Sequence, residues 1–232
     1  MREIVLDTET TGFEPSEGHR IVEIGAVEIF NHLPTGNTYH QYINPERPMP
    51  KEAFDVHGLG DEFLRNQPVF KAIGRAFLDF IGDAQLVIHN AAFDMKFLNH
   101  ELAAVGLPTI PLTRATDTLM MARRKFPGSP ATLDALCRRF GVDNSAREKH
   151  GALLDSEILA EVYLELVGGR QPDFGLNPVA STQRSSSAEK TSDWRPRPRA
   201  TPLAPRITEA ESAAHAAFVE KMGDAALWKK RL

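Results

Sequence analysis

Residues 3–10 read EIVLDTET, and Thr11 and Gly12 close the run. The stretch is short, alternating and rich in branched aliphatics, which predicts a β-strand followed by a turn. Ile4 to Leu6 are apolar on both faces, so the strand belongs inside a sheet rather than at its border. Side chains alternate along a strand, and Asp7 and Glu9 therefore project from one face. Two carboxylates side by side at the end of an apolar strand are the first sign of chemistry.

Working outward, IVEIGAVEIF (21–30) and TYHQYIN (38–44) continue as strands, with turn-rich intervals between them. Helical periodicity follows over Val69 to Ile81, then a short strand QLVIHN (85–90), then a helix from Phe93 to Val105 ended by Gly106 and Pro108. Strands interleaved with helices predict an α/β layered domain. The last long helix, ALLDSEILAEVYLELVGG (152–169), carries Ile158, Leu159, Val162 and Leu166 on one stripe and stops at Gly168 and Gly169. A catalytic-type domain over 1–170 is predicted.

From 171 to 206 the chain holds six prolines and five serines with almost no aliphatic periodicity, the composition of a linker. Residues 207–232 form a tail in which Thr208 and Glu211 match a capping box and Ala214, Ala217, Phe218 and Met222 share a helix face before Gly223. One short helix cannot bury its own apolar stripe, so this one needs a surface to dock on.

Hydrophobic residues at 42% and charged residues at 25% exclude a wholly disordered chain. The single cysteine, Cys137, can make no internal disulfide, and no stretch has the length and apolarity of a membrane span; a reducing cytoplasm is expected, with no membrane. Residues 1–170 carry 17 Lys and Arg against 24 Asp and Glu, a balance of −7, while the remainder carries 10 against 7, or +3. An acidic domain ordinarily repels nucleic acid. Bound divalent cations reverse that sign locally.

Two further clusters join the acids of the first strand. In HNAAFD (89–94) a strand runs into a helix that carries Asp94 in its first turn, where an acid alone reads as a favourable charge at the helix dipole. Asn90 can be a cap there, and Phe93 a core partner of Phe97. In HGALLD (150–155), Asp155 shares the apolar stripe of its helix, and a carboxylate in such a stripe demands a partner. His150 lies in the loop leading in, where it equally reads as one polar residue of SAREKHG. Together the four acids make sense as ligands converging on a cation. Their hard oxygens suit Mg²⁺ or Mn²⁺. Two such ions stabilise the attacking and leaving oxygens of a phosphoryl transfer, and a nearby histidine can take the proton of the attacking water.

DTETTG, HNAAFD and HGALLD, in that order, resemble the three motifs of the DEDDh family of 3′→5′ exonucleases. Residues 2–168 resemble its branch that proofreads for bacterial replicative DNA polymerases. The resemblance implies an RNase H-like fold with a mixed five-stranded sheet and hydrolysis of DNA from its 3′ end with two Mg²⁺ or Mn²⁺ ions. Asp7, Glu9, Asp94 and Asp155 would hold the metals and His150 would be the base. Thr8, Thr10, Asn90 and Phe93 would meet the terminal nucleotide, with Glu52 and His57 of KEAFDVHG lining its pocket; His57 also reads as a capping histidine before Gly58.

Beyond the domain, Gln171, Phe174 and Leu176 in RQPDFGL are spaced like a sliding-clamp-binding peptide. The tail, through Phe218, Leu227 and Trp228, looks like the segment that holds such an exonuclease on the polymerase catalytic subunit, with a small accessory subunit as a further partner. Two other functions fit the same letters: a DEDDh enzyme trimming RNA or short oligonucleotides, and a non-catalytic adaptor joining clamp and polymerase. The linker and tail speak against the first, and the presence of all five catalytic-type residues against the second.

Overall fold

The structure, a computed structural model, describes residues 1–147, 149–168 and 207–223. The linker expected over 171–206, its clamp-type residues Gln171, Phe174 and Leu176, and the tail residues Leu227 and Trp228 lie outside the described residues. The described residues fall into two units, which are treated separately.

In the first unit the chain forms strands β1 (Arg2–Thr10), β2 (Ile21–Phe30) and β3 (Leu33–Tyr42), then helices α1 (Lys51–His57), α2 (Asp61–Leu64) and α3 (Phe70–Ile81). Strand β4 (Gln85–Ile88) and helix α4 (Ala91–Ala104) follow, then β5 (Ala115–Asp117), α5 (Thr118–Lys125), α6 (Leu133–Phe140) and α7 (Ala152–Val167). The five strands form one mixed sheet in the order β3-β2-β1-β4-β5. Strand β1 pairs antiparallel with β2 and parallel with β4, so it is the central strand, as its apolar reading required.

Alternation along β1 divides the domain into layers. Ile4 and Leu6 face a core shared with Phe70 and Phe77 of α3 and Phe97 and Leu98 of α4. Val5 faces the other way, onto Leu159, Ala160 and Tyr163 of α7. Asp7 and Glu9 continue the Val5 face, so both carboxylates point to the side covered by α7. Helix α7 is itself buried on two sides, because Ile158, Val162 and Leu166 pack with Leu136 and Cys137 of α6 and with Ala122 of α5. The single stripe expected on α7 is thus two: Leu159 meets the sheet, and Ile158, Val162 and Leu166 meet the two short helices.

Gly25 sets how closely α7 approaches. It is the cross-strand partner of Asp7, and a Cβ there would lie 2.1 Å from the Ala152 carbonyl carbon and from the Leu153 nitrogen. The missing side chain lets the first turn of α7 rest on the strand backbone, where Ser156 Oγ donates to Gly25 O at 2.9 Å. On the opposite layer, the Arg20 guanidinium grips the buried Glu101 carboxylate of α4 through Nε at 2.7 Å and Nη2 at 2.8 Å. That pair ties the helix carrying Asp94 to the start of β2.

The second unit contains α8 (Glu209–Lys221), started by the expected capping box: Thr208 Oγ1 accepts from Glu211 N at 3.3 Å, and Glu211 Oε2 accepts from Thr208 N at 2.9 Å. Phe218 is exposed. No helix among the described residues is long and apolar enough to cross a membrane.

Candidate active site

A cleft of about 720 Å³ opens where the ends of β1 and β4 meet α4, α5, α6 and α7. Asp7, Glu9, Asp94, His150 and Asp155 all line it, so three segments far apart in sequence deliver their side chains to one place. Asp7 and Glu9 come from the alternation of β1, and Asp94 from the first turn of α4. Asp155 comes from the first turn of α7, lowered onto Gly25. Thr8, one residue out of phase, faces the α4 layer, and its hydroxyl donates to Asp94 Oδ1 at 2.7 Å. Glu9, His150 and Asp155 offer ligand atoms that all lie within 4.8 Å of one another.

The electrostatics show a shortage of positive charge. Burial, then the charges of Asp94, Glu9 and Asp155, push Asp7 well above the ordinary carboxylate range. Burial, with Asp155, Glu23 and Asp94 adding, pushes Glu9 from 4.5 to about 8. Burial is also the main cause that raises Asp94 from 3.8 to about 7. Carboxyl groups crowded in this way are either protonated or neutralised by cations, and an all-oxygen donor set of this kind fits hard divalent metals.

Asp155 differs because it has a cation. Arg147 donates Nε at 2.5 Å to Oδ1 and Nη2 at 2.7 Å to Oδ2 of Asp155, and Nη1 at 2.8 Å to Asp134 Oδ1. Burial alone would raise Asp155, but the bonds from His150 and Arg147 outweigh it and leave Asp155 below its usual value. Arg147 Nη2 also lies 2.9 Å from His150 Nδ1, and that ring nitrogen is 3.5 Å from Asp155 Oδ2. Arg147 was not legible in the sequence, since SAREKHG lies in an irregular loop where no period marks one residue from the next.

A second cavity of about 350 Å³ adjoins the first and shares Thr8, Glu9, Phe13 and Phe93 with it. Thr10, Glu52 and His57, expected around a terminal nucleotide, line this cavity. His57 combines two readings of its position. Its Nδ1 accepts from Leu59 N at 3.0 Å beside the left-handed Gly58, as a capping histidine would. Its Nε2 is buried beside the Thr10 main chain without completing a hydrogen bond, and burial lowers its pKa. Phe93 packs its ring 5.1 Å from that of Phe97 and still borders both cavities. Asn90 begins α4 with φ 69° and makes no side-chain cap. Phe13, which the sequence did not single out, stands 80% exposed on the shared lip, an arrangement suited to stacking on a base.

The raised carboxyls carry a sign that can be measured. A carboxyl whose folded pKa lies above its unfolded value stabilises the fold below the unfolded value and loses that contribution as pH rises through the folded one. In metal-free protein, Glu9→Gln is therefore expected to gain thermal stability relative to the unsubstituted chain as pH rises from 4.5 to about 8. Melting curves in chelator across this window check it; a stability difference that stays constant with pH would contradict the crowding of Glu9.

Residues 4–163 match the exonuclease family RNase_T. The chain is 53% identical over 201 residues to DNA polymerase III subunit epsilon of Rickettsia conorii, covering 82% of this chain and 87% of that one. It is 45% identical over 238 residues to DNA polymerase III subunit epsilon of Escherichia coli, covering 98% and 97%. Among solved structures, the nuclease domain of 3′hExo, a DEDDh family member bound to rAMP, superposes with a TM-score of 0.60 at 21% identity, covering 72% of this chain and 91% of that one. That likeness speaks to the fold, which is the mixed five-stranded exonuclease architecture described above.

Proposed function

The chain belongs to the DNA polymerase III subunit epsilon family of 3′→5′ proofreading exonucleases, which are divalent-metal dependent, and from that premise we propose how its own residues do the work. Asp7, Glu9, Asp94 and Asp155 would hold two Mg²⁺ or Mn²⁺ ions, with His150 as the general base. The observation that carries this reading is the convergence of four acids and one histidine, from β1, α4, α7 and the loop before α7, on one cleft.

In this reading the 3′-terminal nucleotide enters the smaller cavity, where Thr8, Thr10, Glu52 and His57 offer polar contacts. Asn90 and Phe93 border the scissile bond, with Phe93 and Phe13 supplying ring faces for stacking. Divalent cations held there would supply charge neutralisation at the phosphate and make a water more acidic. His150, half exposed at the cleft, accepts the proton of the attacking water. A mispaired terminus frays more readily than a paired one, so a cleft that takes one unpaired end selects errors.

The names of the relatives support association with DNA polymerase III, and a cytoplasmic site of action belongs to the same reading. The further assignments are the tail 207–232, with Phe218, Leu227 and Trp228, as the polymerase anchor, and Gln171, Phe174 and Leu176, at the start of a linker over 171–206, as a clamp-binding peptide. Digestion of 3′-labelled matched and mismatched DNA primers, beside an RNA primer of the same sequence, tests the function. The expected result is faster release of nucleoside monophosphates from the mismatched DNA end and none in EDTA. Faster digestion of RNA would favour the trimming function instead.

A further inference from the structure

Between Thr118 and Phe140 the otherwise acidic domain carries five basic residues and one acid. Arg123, Arg124 and Lys125 fill the last turn of α5, and Arg138 and Arg139 the last turn of α6. Cations in a last helical turn complement the helix dipole, and that accounts for one or two of them. Two observations point further. The one acid, Asp134, is already bound by Arg147 and Asn144, and Lys125 is spent on the carbonyls of Glu165 and Leu166. The remaining arginines are exposed, and among the described residues Arg123, Arg124 and Arg138 have no ion pair or hydrogen bond.

These arginines form one group that begins at the catalytic cleft. Arg123 lines the cleft itself, together with Leu133 at the start of α6. Arg139 lies over the Phe126 ring at 4.3 Å, and Phe126 caps the helix that carries Arg123 and Arg124. Arg138 and Arg139 then border a shallow depression with Pro130 and Ala135. The smaller cavity, with Glu52 and His57, meets the cleft at Thr8, Glu9, Phe13 and Phe93 and has none of these arginines in its lining. An enzyme that holds the 3′-terminal nucleotide in that cavity must let the rest of the strand leave past the acids by the opposite side. The opposite side is the one lined by arginines.

We propose that Arg123, Arg124, Arg138 and Arg139 form a phosphate-binding track for the single strand upstream of the cleaved bond. The proposal rests on the assignment of the terminal nucleotide to the smaller cavity. It explains how a domain with a charge balance of −7 over residues 1–170 keeps hold of a polyanion: attraction is confined to the strand's exit path. A neutralised phosphate releases a counterion, so each contact also leaves a mark on salt dependence.

The test uses the full chain with Arg124, Arg138 and Arg139 all changed to Ala, and two substrates. Thymidine 5′-monophosphate p-nitrophenyl ester has no upstream phosphate, and an oligonucleotide of about ten nucleotides has several. The track predicts unchanged ester hydrolysis, a KM on the oligonucleotide raised roughly tenfold or more, kcat little changed, and a salt slope of log KM shallower by about 2, from about 0.7 per lost contact. A matching Lys triple variant keeps the charge and should behave like the unsubstituted enzyme on both substrates. An unchanged oligonucleotide KM and salt slope in the Ala variant would overturn the track. So would equal losses on both substrates in the Ala and Lys variants, which would assign the arginines to the fold. Failure of the unsubstituted enzyme on the ester and oligonucleotide alike would instead overturn the active-site reading on which the track rests.

Discussion

Asp7→Asn is expected to abolish exonuclease activity while the domain stays folded. The substitution keeps size and shape on the central strand but removes the charge proposed to bind a cation, so the drop in turnover should reach about 10⁴-fold or more, equivalent to about 5 kcal/mol of lost transition-state stabilisation. Stability should move the other way. Asp7 is held well above the ordinary carboxylate range by burial and by its three acidic neighbours, so ionising it in the folded protein is costly. Replacing it with a neutral amide relieves that crowding. The measurement pairs single-turnover hydrolysis in Mg²⁺ with melting in chelator: near-normal turnover from a folded Asp7→Asn protein would defeat the assignment of metal ligands.

His150→Ala should lower turnover by roughly 10² to 10⁴-fold with metal binding largely preserved, the usual range for loss of a general base. The surroundings of the ring make the case specific. Arg147 can only donate, so in the arrangement described here His150 Nδ1 accepts from it and a neutral ring carries its proton on Nε2. The tautomer that would serve as a base has Nδ1–H directed to Asp155 Oδ2, now 3.5 Å away, with Nε2 free to take a proton. Loss of the imidazole should accordingly lower kcat while the dependence of rate on metal concentration stays as it was. An unchanged kcat in His150→Ala would return the histidine to the exposed lip as a bystander.

Much of this site is legible in the sequence, and the reasons are local. Alternation on β1 fixed Asp7 and Glu9 on one face, and Asp155 stood out as a carboxylate in an apolar stripe. The layer division also follows from β1, where Ile4 and Leu6 face one core and Val5 the other. What could not be read is what depends on contact between distant segments. Ile158 and Leu159 sit at the two edges of one apolar stripe on a helical wheel, and only the position of α5 and α6 shows that the edges face different partners. Arg147 sits in an aperiodic loop, and nothing in SAREKHG distinguishes it from its charged neighbours until it is seen across Asp155. The short β5 and α5 were absent from the sequence reading because three residues of strand and two turns of helix give too little periodicity to register.

Gly25 touches no substrate and bears no functional group, yet it holds the seat on which α7 delivers Asp155. Any side chain there must lift the helix and separate the acid of the third motif from those of the first. In a lineage of dividing cells such a change would be silent in the gene's own product by most assays of expression, and visible everywhere else. It would act as a mutator allele, and its signature would be copying errors accumulating across the whole genome because one added carbon has nowhere to go.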